Sequence, residues 1–345
     1  MTKGWVAILA AVTLISCSRA DDREQQVDRL FAGYQGDKPG ASVLVVQEGQ
    51  AVLVKSYGMA DLERGIKVTP ETNFRLASIS KQFTATAVMM LVEQGKLHLE
   101  DNLTQLFPGF PGYGAEITLR HLLQHNSGLI DYESLIPEDF TGQVSDRDAL
   151  RMMKETDHTY FKPGTQYRYS NTAYAMLAVL VEERSGQPFA EFLDSHIFTP
   201  VGMDSTVAYQ KGISEVPHRA YGYLVEQDNV SFSDQSTTSA VLGDGGIYSS
   251  VLDYFKWDQA LYTERLLSRT SLASMWTGNF GDYGFGWRVD THKGHRRLHH
   301  DGSTSGFRNY VLRYPQQQTT VLVLTNRRGP DVMPLAEQVA GLYLP

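Results

Sequence analysis

Alternating apolar and polar positions predict β-strands near both ends of this chain. Residues 41–47 and 51–57 are rich in β-branched side chains, and the Glu48-Gly49 pair between them favours a hairpin. The same pattern returns in four later stretches, residues 283–289, 296–300, 306–314 and 319–325. These stretches resemble sequential antiparallel strands, so we expect one sheet assembled from segments that lie far apart in the sequence.

Apolar residues at helical spacing predominate in the rest of the chain. Helices are predicted, in chain order, at residues 22–33, 78–93, 118–124, 146–154, 171–183, 189–196, 252–262 and 333–342. The stretch from about 97 to 238 holds several of these helices and few strand-like runs. We therefore predict an α+β chain in which an α/β subdomain, residues 22–95 and 240–345, receives a mostly helical inserted subdomain, residues 96–239.

The amino terminus has the pattern of a secretory signal. Lys3 is followed by an apolar run from Trp5 to Ile15, which is too short to span a bilayer. Residues 14–17 read Leu-Ile-Ser-Cys and resemble a bacterial lipobox, which implies a signal peptide of residues 1–16 and lipid attachment to Cys17. An unpaired thiol is unusual in an exported protein, and acylation accounts for this sole cysteine. The alternative is a soluble exported protein cleaved after Ala20.

Composition and charge narrow the classes of partner. The chain has 345 residues, 42% of them hydrophobic and 20% charged, as is ordinary for a globular protein. Its net charge is -8 with both signs interspersed, which argues against a nucleic-acid partner and gives no basic stripe for a membrane surface. No other apolar run reaches membrane-spanning length, so we expect membrane attachment only through lipid on Cys17. The expected location is the bacterial periplasm or cell envelope.

Ser78 and Lys81 form a candidate nucleophile and base. They stand three residues apart on a predicted helix and therefore share a face, whereas Ser80 points elsewhere. A desolvated lysine can take the proton of a serine hydroxyl, and the start of a helix offers unpaired N–H groups to a developing negative charge. An S-x-x-K tetrad arises about once by chance in a chain of this length. Other motifs in the sequence must therefore show whether this tetrad is catalytic.

Two further motifs supply candidate partners. Tyr169 and Asn171 lie in a polar loop that enters the next helix, where a tyrosine near Lys81 could transfer protons and an asparagine could orient the lysine and contact substrate. Taken alone, this loop would be read as a helix start with an exposed aromatic. His300-Asp301-Gly302 forms an H-x-G triplet between strand-like runs, and the glycine permits close backbone approach.

Histidines are clustered in the same region, at positions 292, 295, 299 and 300. No H-E-x-x-H pair accompanies them, so we interpret them as structural or solvated side chains and not as metal ligands. His292-Lys293-Gly294 repeats the H-x-G spacing, but it sits between predicted strands and is interpreted as a surface turn.

The ordered triplets S-x-x-K, Y-x-N and H-x-G resemble those of the serine β-lactamase and penicillin-binding-protein superfamily. The similarity is to the branch with class C β-lactamases, DD-carboxypeptidases, D-aminopeptidases and related esterases, and it spans about Val27 to Leu342. Three secondary segments agree with the family pattern, at residues 122–129 (LLQHNSGL), 200–203 (PVGM) and 245–250 (GGIYSS). The resemblance implies a β-lactamase/transpeptidase-like fold, an antiparallel sheet flanked by helices beside an all-helical lobe.

The resemblance also implies a role for each motif residue. Ser78 would be the acylated nucleophile, and Lys81 and Tyr169 the proton-transfer pair, with the choice of base left open. Asn171, His300, Asp301 and Gly302 would contact the substrate. The backbone N–H groups of Ser78 and Ser303 would form the oxyanion hole. The resemblance implies no metal and no organic cofactor.

The third motif departs from the K-T-G of typical β-lactamases. A histidine is mostly neutral near pH 7, and Asp301 beside it would repel a substrate carboxylate. This disfavours β-lactam hydrolysis and leaves esters, amides and D-amino-acid peptides, including peptidoglycan fragments, as substrates of a serine hydrolase. Three alternatives stay open: a true β-lactamase, a penicillin-binding or sensor module that does not turn over, and an exported binding protein with chance motifs. The absence of an S-D-N motif argues against a class A arrangement.

Overall fold

Helices and strands follow one another along residues 22–227 and 229–344, the part of the chain that the computed structural model describes. The strands are β1 (Ala41–Gln47), β2 (Gln50–Tyr57), β3 (Met59–Asp61), β4 (Ile66–Lys67), β5 (Phe74–Arg75), β6 (Val207–Ala208), β7 (Tyr223–Glu226), β8 (Asn229–Phe232), β9 (Ile247–Ser249), β10 (Arg288–His292), β11 (His295–Thr304), β12 (Phe307–Tyr314), β13 (Thr319–Thr325) and β14 (Arg327–Arg328).

The helices, in the same order, are α1 (residues 22–30), α2 (Lys81–Glu93), α3 (Leu103–Leu106), α4 (Leu119–Leu123), α5 (Asp146–Glu155), α6 (Asn171–Ser185), α7 (Phe189–Leu193), α8 (Thr199–Val201), α9 (Leu242–Gly245), α10 (Val251–Ala260), α11 (Arg269–Met275) and α12 (Met333–Tyr343). Short 3₁₀ segments lie at Ala32–Tyr34, Ala77–Ser80, Gly112–Glu116, Tyr132–Leu135, Phe280–Asp282 and Pro315–Gln317, and a π segment at Asp194–Phe198.

A six-stranded sheet in the order β10-β11-β12-β13-β1-β2 forms the centre of the fold. All neighbouring strands are antiparallel. Strand β1 pairs with β13 along its whole length, from Ala41 opposite Thr325 to Gln47 opposite Thr319. The sheet therefore joins segments from the two ends of the described chain, as the strand pattern predicted.

Both faces of this sheet are buried. Every residue of β13 is buried, and its alternating side chains enter two different apolar cores. Val321 and Val323 pack in the core that includes residues of α1 and α12, whereas Leu322 and Leu324 pack in the core that includes residues of α2, α6 and α10. The period of two along a strand produces this division. The α+β class and the sheet flanked by helices are confirmed.

Two predicted elements begin in the wrong place. The α-helix predicted from Ser78 starts only at Lys81, because residues Ala77–Ser80 form a 3₁₀ turn. The strand predicted at residues 283–289 is a loop, and β10 starts at Arg288. Two glycines explain the loop. A Cβ on Gly284 would lie 2.1 Å from the carbonyl oxygen of Met275, and Gly286 has a φ of +75°, which bends the chain out of a strand.

The region between residues 96 and 239 is mostly helical, but it also contains short strands. The hairpin of β7 and β8 was not predicted, since strands of four residues are too short to establish a periodic pattern. The subdomain boundaries stay a prediction. The predicted signal peptide, residues 1–16, and Cys17 lie outside the described residues. Across the described ranges, no helix is both long enough and apolar enough to cross a membrane.

Candidate active site

Ser78 stands on a tight turn between β5 and α2. Ala77 adopts a φ of +51°, in the left-handed region that a non-glycine residue rarely occupies. The turn is held from β9, where the Leu76 amide donates to the Ile247 carbonyl oxygen at 2.8 Å and the Ile247 amide donates to Ser80 Oγ at 3.2 Å. Ser78 lies in the first turn of the 3₁₀ segment, whose amides are not consumed by the helix itself.

Lys81 is fully buried and lies directly beside the Ser78 hydroxyl. Its Nζ is 3.1 Å from Ser78 Oγ, 2.9 Å from Asn171 Oδ1 and 2.7 Å from the Asp244 carbonyl oxygen. A neutral amine has two N–H donors and one lone pair. If the two donors go to Asn171 and Asp244, which can only accept at these atoms, the lone pair points at Ser78 Oγ.

The charge state of Lys81 favours this arrangement. Burial lowers the pKa of Lys81 to about 8, although the nearby carboxylates of Asp244, Asp301 and Glu133 oppose the fall. A substantial fraction of the amine is therefore neutral near pH 8. That fraction can accept the serine proton.

Tyr169 lies on the other side of Lys81. The lysine Nζ is 4.9 Å from the centroid of its ring, and the ring packs against His125 with centroids 4.2 Å apart. Burial raises the pKa of Tyr169 well above its usual value, and the nearby Ser78 hydroxyl opposes this only in part. Its hydroxyl has no hydrogen-bond partner of suitable geometry among the described residues. The phenol is thus neutral at rest, and it can donate a proton more readily than accept one.

Asn171 begins α6 and connects Lys81 to a carboxylate that the sequence motifs did not indicate. The helix is capped by Ser170, whose side chain accepts from the Ala173 amide at 3.1 Å. Asn171 Nδ2 donates to Glu133 Oε1 at 2.9 Å, while Oδ1 accepts from Lys81. Both ends of the Asn171 amide are therefore engaged.

His300 is buried and neutral. Its Nδ1 lies 2.7 Å from the Asp301 carbonyl oxygen, so it carries a proton and donates, and Nε2 accepts from the Tyr283 hydroxyl at 2.8 Å. Burial lowers the pKa of His300 to about 3, although the charge of Asp301 opposes the fall. His300 is fully buried and both of its ring nitrogens are bonded to protein groups, so it supports the strand from behind the cleft and brings no positive charge to it. The substrate contact predicted for its side chain is not formed by an exposed atom.

Strand β11 brings the third motif against the Ser78 turn. A Cβ on Gly302 would lie 2.1 Å from the Leu76 carbonyl oxygen, so the two backbones touch. Ser303, one residue further, lines the same cavity as Ser78, together with Asn171 and Asp244. The structure thus gathers the predicted nucleophile and both predicted oxyanion donors at one cleft.

The Asp301 side chain lies on the face of β11 opposite His300 and on the same face as Ser303, because side chains alternate along a strand. It is half exposed and lines a second cavity of about 510 Å³ with Arg288 and Arg308. Arg288 Nε is 3.7 Å from its carboxylate oxygen. Although burial acts in the opposite direction, the charge of Arg288 helps to hold the pKa of Asp301 below its ordinary value. The repulsion expected of Asp301 is therefore offset by a neighbouring cation.

Sequence reasoning missed several residues of this site, namely Glu133, Asp244, Tyr283, Arg288 and Arg308. One signal was available for Asp244, a lone carboxylate in the glycine-rich stretch 243–246. Tyr283 and Arg288 fell in the stretch predicted as a strand, which concealed that the chain turns there. Glu133 lies in a connection without periodicity, so no pattern marked it.

Three of the four clustered histidines bond to tyrosines, His300 to Tyr283 as described above and two others. His292 Nδ1 is 3.1 Å from the Tyr314 hydroxyl, and His299 Nδ1 is 2.8 Å from the Tyr310 hydroxyl. Residues 293–294 form the turn between β10 and β11, as interpreted from the sequence. Within residues 22–227 and 229–344, no group of three or more His, Cys, Asp or Glu side chains is arranged to hold a metal ion.

Comparison with known proteins points to one family. A family model described as Beta-lactamase matches residues 25–343. Penicillin-binding protein 4* of Bacillus subtilis (strain 168) is 34% identical over 308 residues, which cover 83% of this chain and 68% of that protein. A D-aminopeptidase of Gluconobacter oxydans (strain 621H) is 29% identical over 330 residues, which cover 92% of this chain and 61% of that protein.

Solved structures agree with these similarities. The octameric penicillin-binding protein homologue from Pyrococcus abyssi superposes with a TM-score of 0.80 at 26% identity, covering 94% of this chain and 77% of that one. The chain spans about two thirds of the length of the curated relatives it matches.

Proposed function

Since this chain belongs to the Beta-lactamase family, we propose that it is a serine hydrolase that forms an acyl-enzyme on Ser78 with an ester, an amide or a D-amino-acid peptide. One observation carries the proposal, the contact of 3.1 Å between Lys81 Nζ and Ser78 Oγ in a buried site. The relatives named penicillin-binding protein and D-aminopeptidase support the same reaction class.

The geometry supports a definite assignment of proton transfers. Neutral Lys81 removes the proton of Ser78 as Oγ attacks the substrate carbonyl carbon, and the amides of Ser78 and Ser303 stabilise the oxyanion. Tyr169 donates its phenolic proton to the leaving group and is reprotonated by the Lys81 ammonium. Water then attacks the ester on Ser78, which releases the acid product and returns a proton to the serine oxygen.

A specific observation keeps penicillin binding as the second candidate function. Arg308 lies directly opposite Ser303 on β12, and its Nη1 donates only to the Phe307 carbonyl oxygen, at 2.7 Å. No carboxylate of the described residues forms an ion pair with it. A cation in the cavity beside Ser303 can bind a substrate carboxylate, a group that both penicillins and peptide termini carry. This second candidate includes a true β-lactamase and an acylated module without turnover.

Labelling with an active-site reagent tests the nucleophile. A fluorophosphonate or a fluorescent penicillin should form a covalent adduct with the wild-type protein, and Ser78→Ala should abolish it, because the reacting oxygen is gone. Peptide mass spectrometry locates the adduct. The matched control is Ser80→Ala, since Ser80 Oγ accepts from the Ile247 amide and does not face Lys81. Equal labelling of wild type and Ser78→Ala would refute the assignment.

A turnover panel separates the substrate classes. It consists of nitrocefin, p-nitrophenyl esters of graded chain length, and peptides ending in D-Ala-D-Ala. Rapid nitrocefin hydrolysis would establish the β-lactamase alternative, and stable labelling without any turnover would establish the penicillin-binding module. Hydrolysis of esters or peptides supports the hydrolase.

We also propose that the protein is exported to the cell envelope and anchored by lipid on Cys17. The support is the lipobox-like sequence at residues 14–17 and the single cysteine. Substrates reach such a protein outside the cytoplasm.

A further inference from the structure

The amide of Asn171 is occupied by protein groups before any substrate arrives. Its Oδ1 accepts from Lys81 at 2.9 Å and its Nδ2 donates to Glu133 Oε1 at 2.9 Å. These two contacts fix the orientation of the amide, because reversing it would place two donors or two acceptors together. A substrate group that approaches Nδ2 therefore also meets the carboxylate of Glu133.

Glu133 lies close to the reacting atoms. A continuous series of hydrogen bonds runs from Ser78 Oγ through Lys81 Nζ and the Asn171 amide to Glu133. Glu133 and Ser78 line one small cavity of about 70 Å³. In an acyl group attached to Ser78, the substituent on the α-carbon is only two bonds from the carbonyl carbon. That substituent is therefore within reach of the cavity that Glu133 lines.

The other charged groups of the cavity are already bonded to protein groups. Arg75 donates to the Gly245 carbonyl oxygen at 3.1 Å and to the Ser239 carbonyl oxygen at 3.0 Å. Lys81 is surrounded by its three acceptors. The Asp244 carboxylate accepts from the Tyr132 hydroxyl at 3.2 Å. Glu133, which is exposed and bonded only to an amide, is the carboxylate that remains available for a cation.

The chemistry of the α-substituent then decides how well a substrate fits. An N-acyl group brings a carbonyl oxygen, an acceptor that would face the acceptor oxygens of Glu133. A free α-ammonium group brings donors and a positive charge, and it can bond to Glu133 without breaking the contact with Asn171.

We propose that Glu133 makes Ser78 selective for acyl donors with a free α-ammonium group and against donors whose α-nitrogen is acylated. This inference rests on the proposed acyl-enzyme function. It makes the preferred substrate an amide, ester or peptide whose reacting carbonyl belongs to an N-terminal amino acid.

The experiment compares matched substrate pairs in wild type and in Glu133→Gln. The substrates are the p-nitroanilides of D- and L-alanine and their N-acetyl derivatives, and the measured quantity is the ratio of kcat/KM for the free amine to that for the N-acetyl form. The ratio should exceed about 10 in wild type and fall about 10- to 100-fold in Glu133→Gln, as expected for loss of a charge-assisted hydrogen bond.

The ratio removes an unwanted effect of the substitution. The charge of Glu133 raises the pKa of Lys81. Losing this charge changes kcat/KM for both substrates by the same factor, and that factor cancels in the ratio. Glu138→Gln is the matched control, because Glu138 is an exposed carboxylate five residues further along the same connection and does not line the cavity. The control should keep the wild-type ratio.

The outcomes separate this inference from the function on which it rests. If Ser78 is not labelled by a fluorophosphonate and no substrate is turned over, the proposed function fails. If Ser78 is labelled but the wild type prefers the N-acetyl substrates, turns over none of the four, or shows the same ratio as Glu133→Gln, only the selectivity assigned to Glu133 is overturned.

Discussion

At the scale of single residues, the arrangement of donors and acceptors around Lys81 determines how the reaction starts. Three acceptors lie within 3.1 Å of its Nζ. Asn171 Oδ1 and the Asp244 carbonyl oxygen cannot donate, so they accept from the N–H groups of Lys81. The hydroxyl of Ser78 is the one of the three that can supply a proton. In the proposed reaction, this arrangement favours the lysine, rather than Tyr169, as the base of acylation.

The pH dependence of acylation follows from that assignment. Because burial lowers the pKa of Lys81 to about 8 and the neutral amine is the base, kcat/KM should rise with pH up to about 8 and then level off. At pH 7 the value should be about one tenth of the plateau. Stopped-flow labelling by a fluorophosphonate between pH 5 and pH 10 measures this profile.

Two variants accompany the pH profile. Lys81→Ala should lower acylation by several orders of magnitude, and Lys81→Arg should do the same, since arginine keeps its charge at every pH used. A profile that falls above pH 8 would show that the charged ammonium is required and would return the role of base to Tyr169. Wild-type rates in Lys81→Ala would reduce the lysine to a structural residue.

The proximity of Ser78 and Lys81 was predictable from the sequence, and the residues that surround this pair were not. The prediction that Ser78 and Lys81 lie close together does not depend on the exact helix bounds, because residues three apart share a face in both α and 3₁₀ geometry. Glu133 and Tyr283 touch the motif residues only after distant segments pack together. A local pattern contains no information about such contacts.

At the scale of elements, the backbone contact between β11 and the Ser78 turn brings the two proposed oxyanion donors, the amides of Ser78 and Ser303, to one cleft. Gly302 allows this contact because it has no side chain, and its position in the strand leaves no space for one. The amides of Ser78 and Ser303 can converge only while the two backbones touch.

Gly302→Ala should therefore damage catalysis more than stability. The added methyl group would meet the Leu76 carbonyl oxygen, and overpacking of this kind costs about 1–3 kcal/mol. The free energy of unfolding, measured in urea, should fall by that amount. The labelling rate of Ser78 should fall at least about 100-fold, since one oxyanion donor is displaced.

A glycine in open space provides the control for this variant. Gly33 has a negative φ, and a methyl group added there would have no neighbouring atom within 4 Å, so Gly33→Ala should leave both measurements near wild type. Unchanged labelling in Gly302→Ala would show that the strand and the turn can separate without loss of function.

Element types followed from the sequence where the pattern was long. Strand β13 and helix α5 were predicted to within one residue of their observed bounds. The loop at residues 283–287 was not predicted, because its apolar and aromatic residues have the pattern of a strand. Gly284 and Gly286 nevertheless pack against neighbouring backbone, which bends the chain there. Packing of this kind overrides local propensity.

At the scale of the whole molecule, the sheet separates two regions with different tasks. The cleft with Ser78 lies beside α2 and α6 on one face, and α1, the first described helix, covers the other face with α12. The proposed site of lipid attachment, Cys17, precedes α1 in the sequence by a few residues. Helix α1 itself packs on the face of the sheet opposite the cleft.

Metabolic labelling tests the anchor. In a bacterial host, radiolabelled palmitate should be incorporated into the wild-type protein and not into Cys17→Ala, because the thiol is the predicted site of attachment. The wild type should sediment with membranes and the variant should not. Cleavage after Ala20, detected by sequencing the mature amino terminus, would instead support the soluble exported form.

The pairing of β1 with β13 also has a consequence for how the protein folds. Ala41 and Thr325 meet across nearly the entire described chain, so closing the sheet requires one of the longest loops available. Helices such as α5 and α6 can form from local contacts soon after synthesis. In contrast, the edge of β1 that pairs with β13 stays unpaired until β13 has been synthesised. Ser78 is therefore synthesised well before the sheet around the candidate site can close. The slowest folding step is expected to coincide with the appearance of activity.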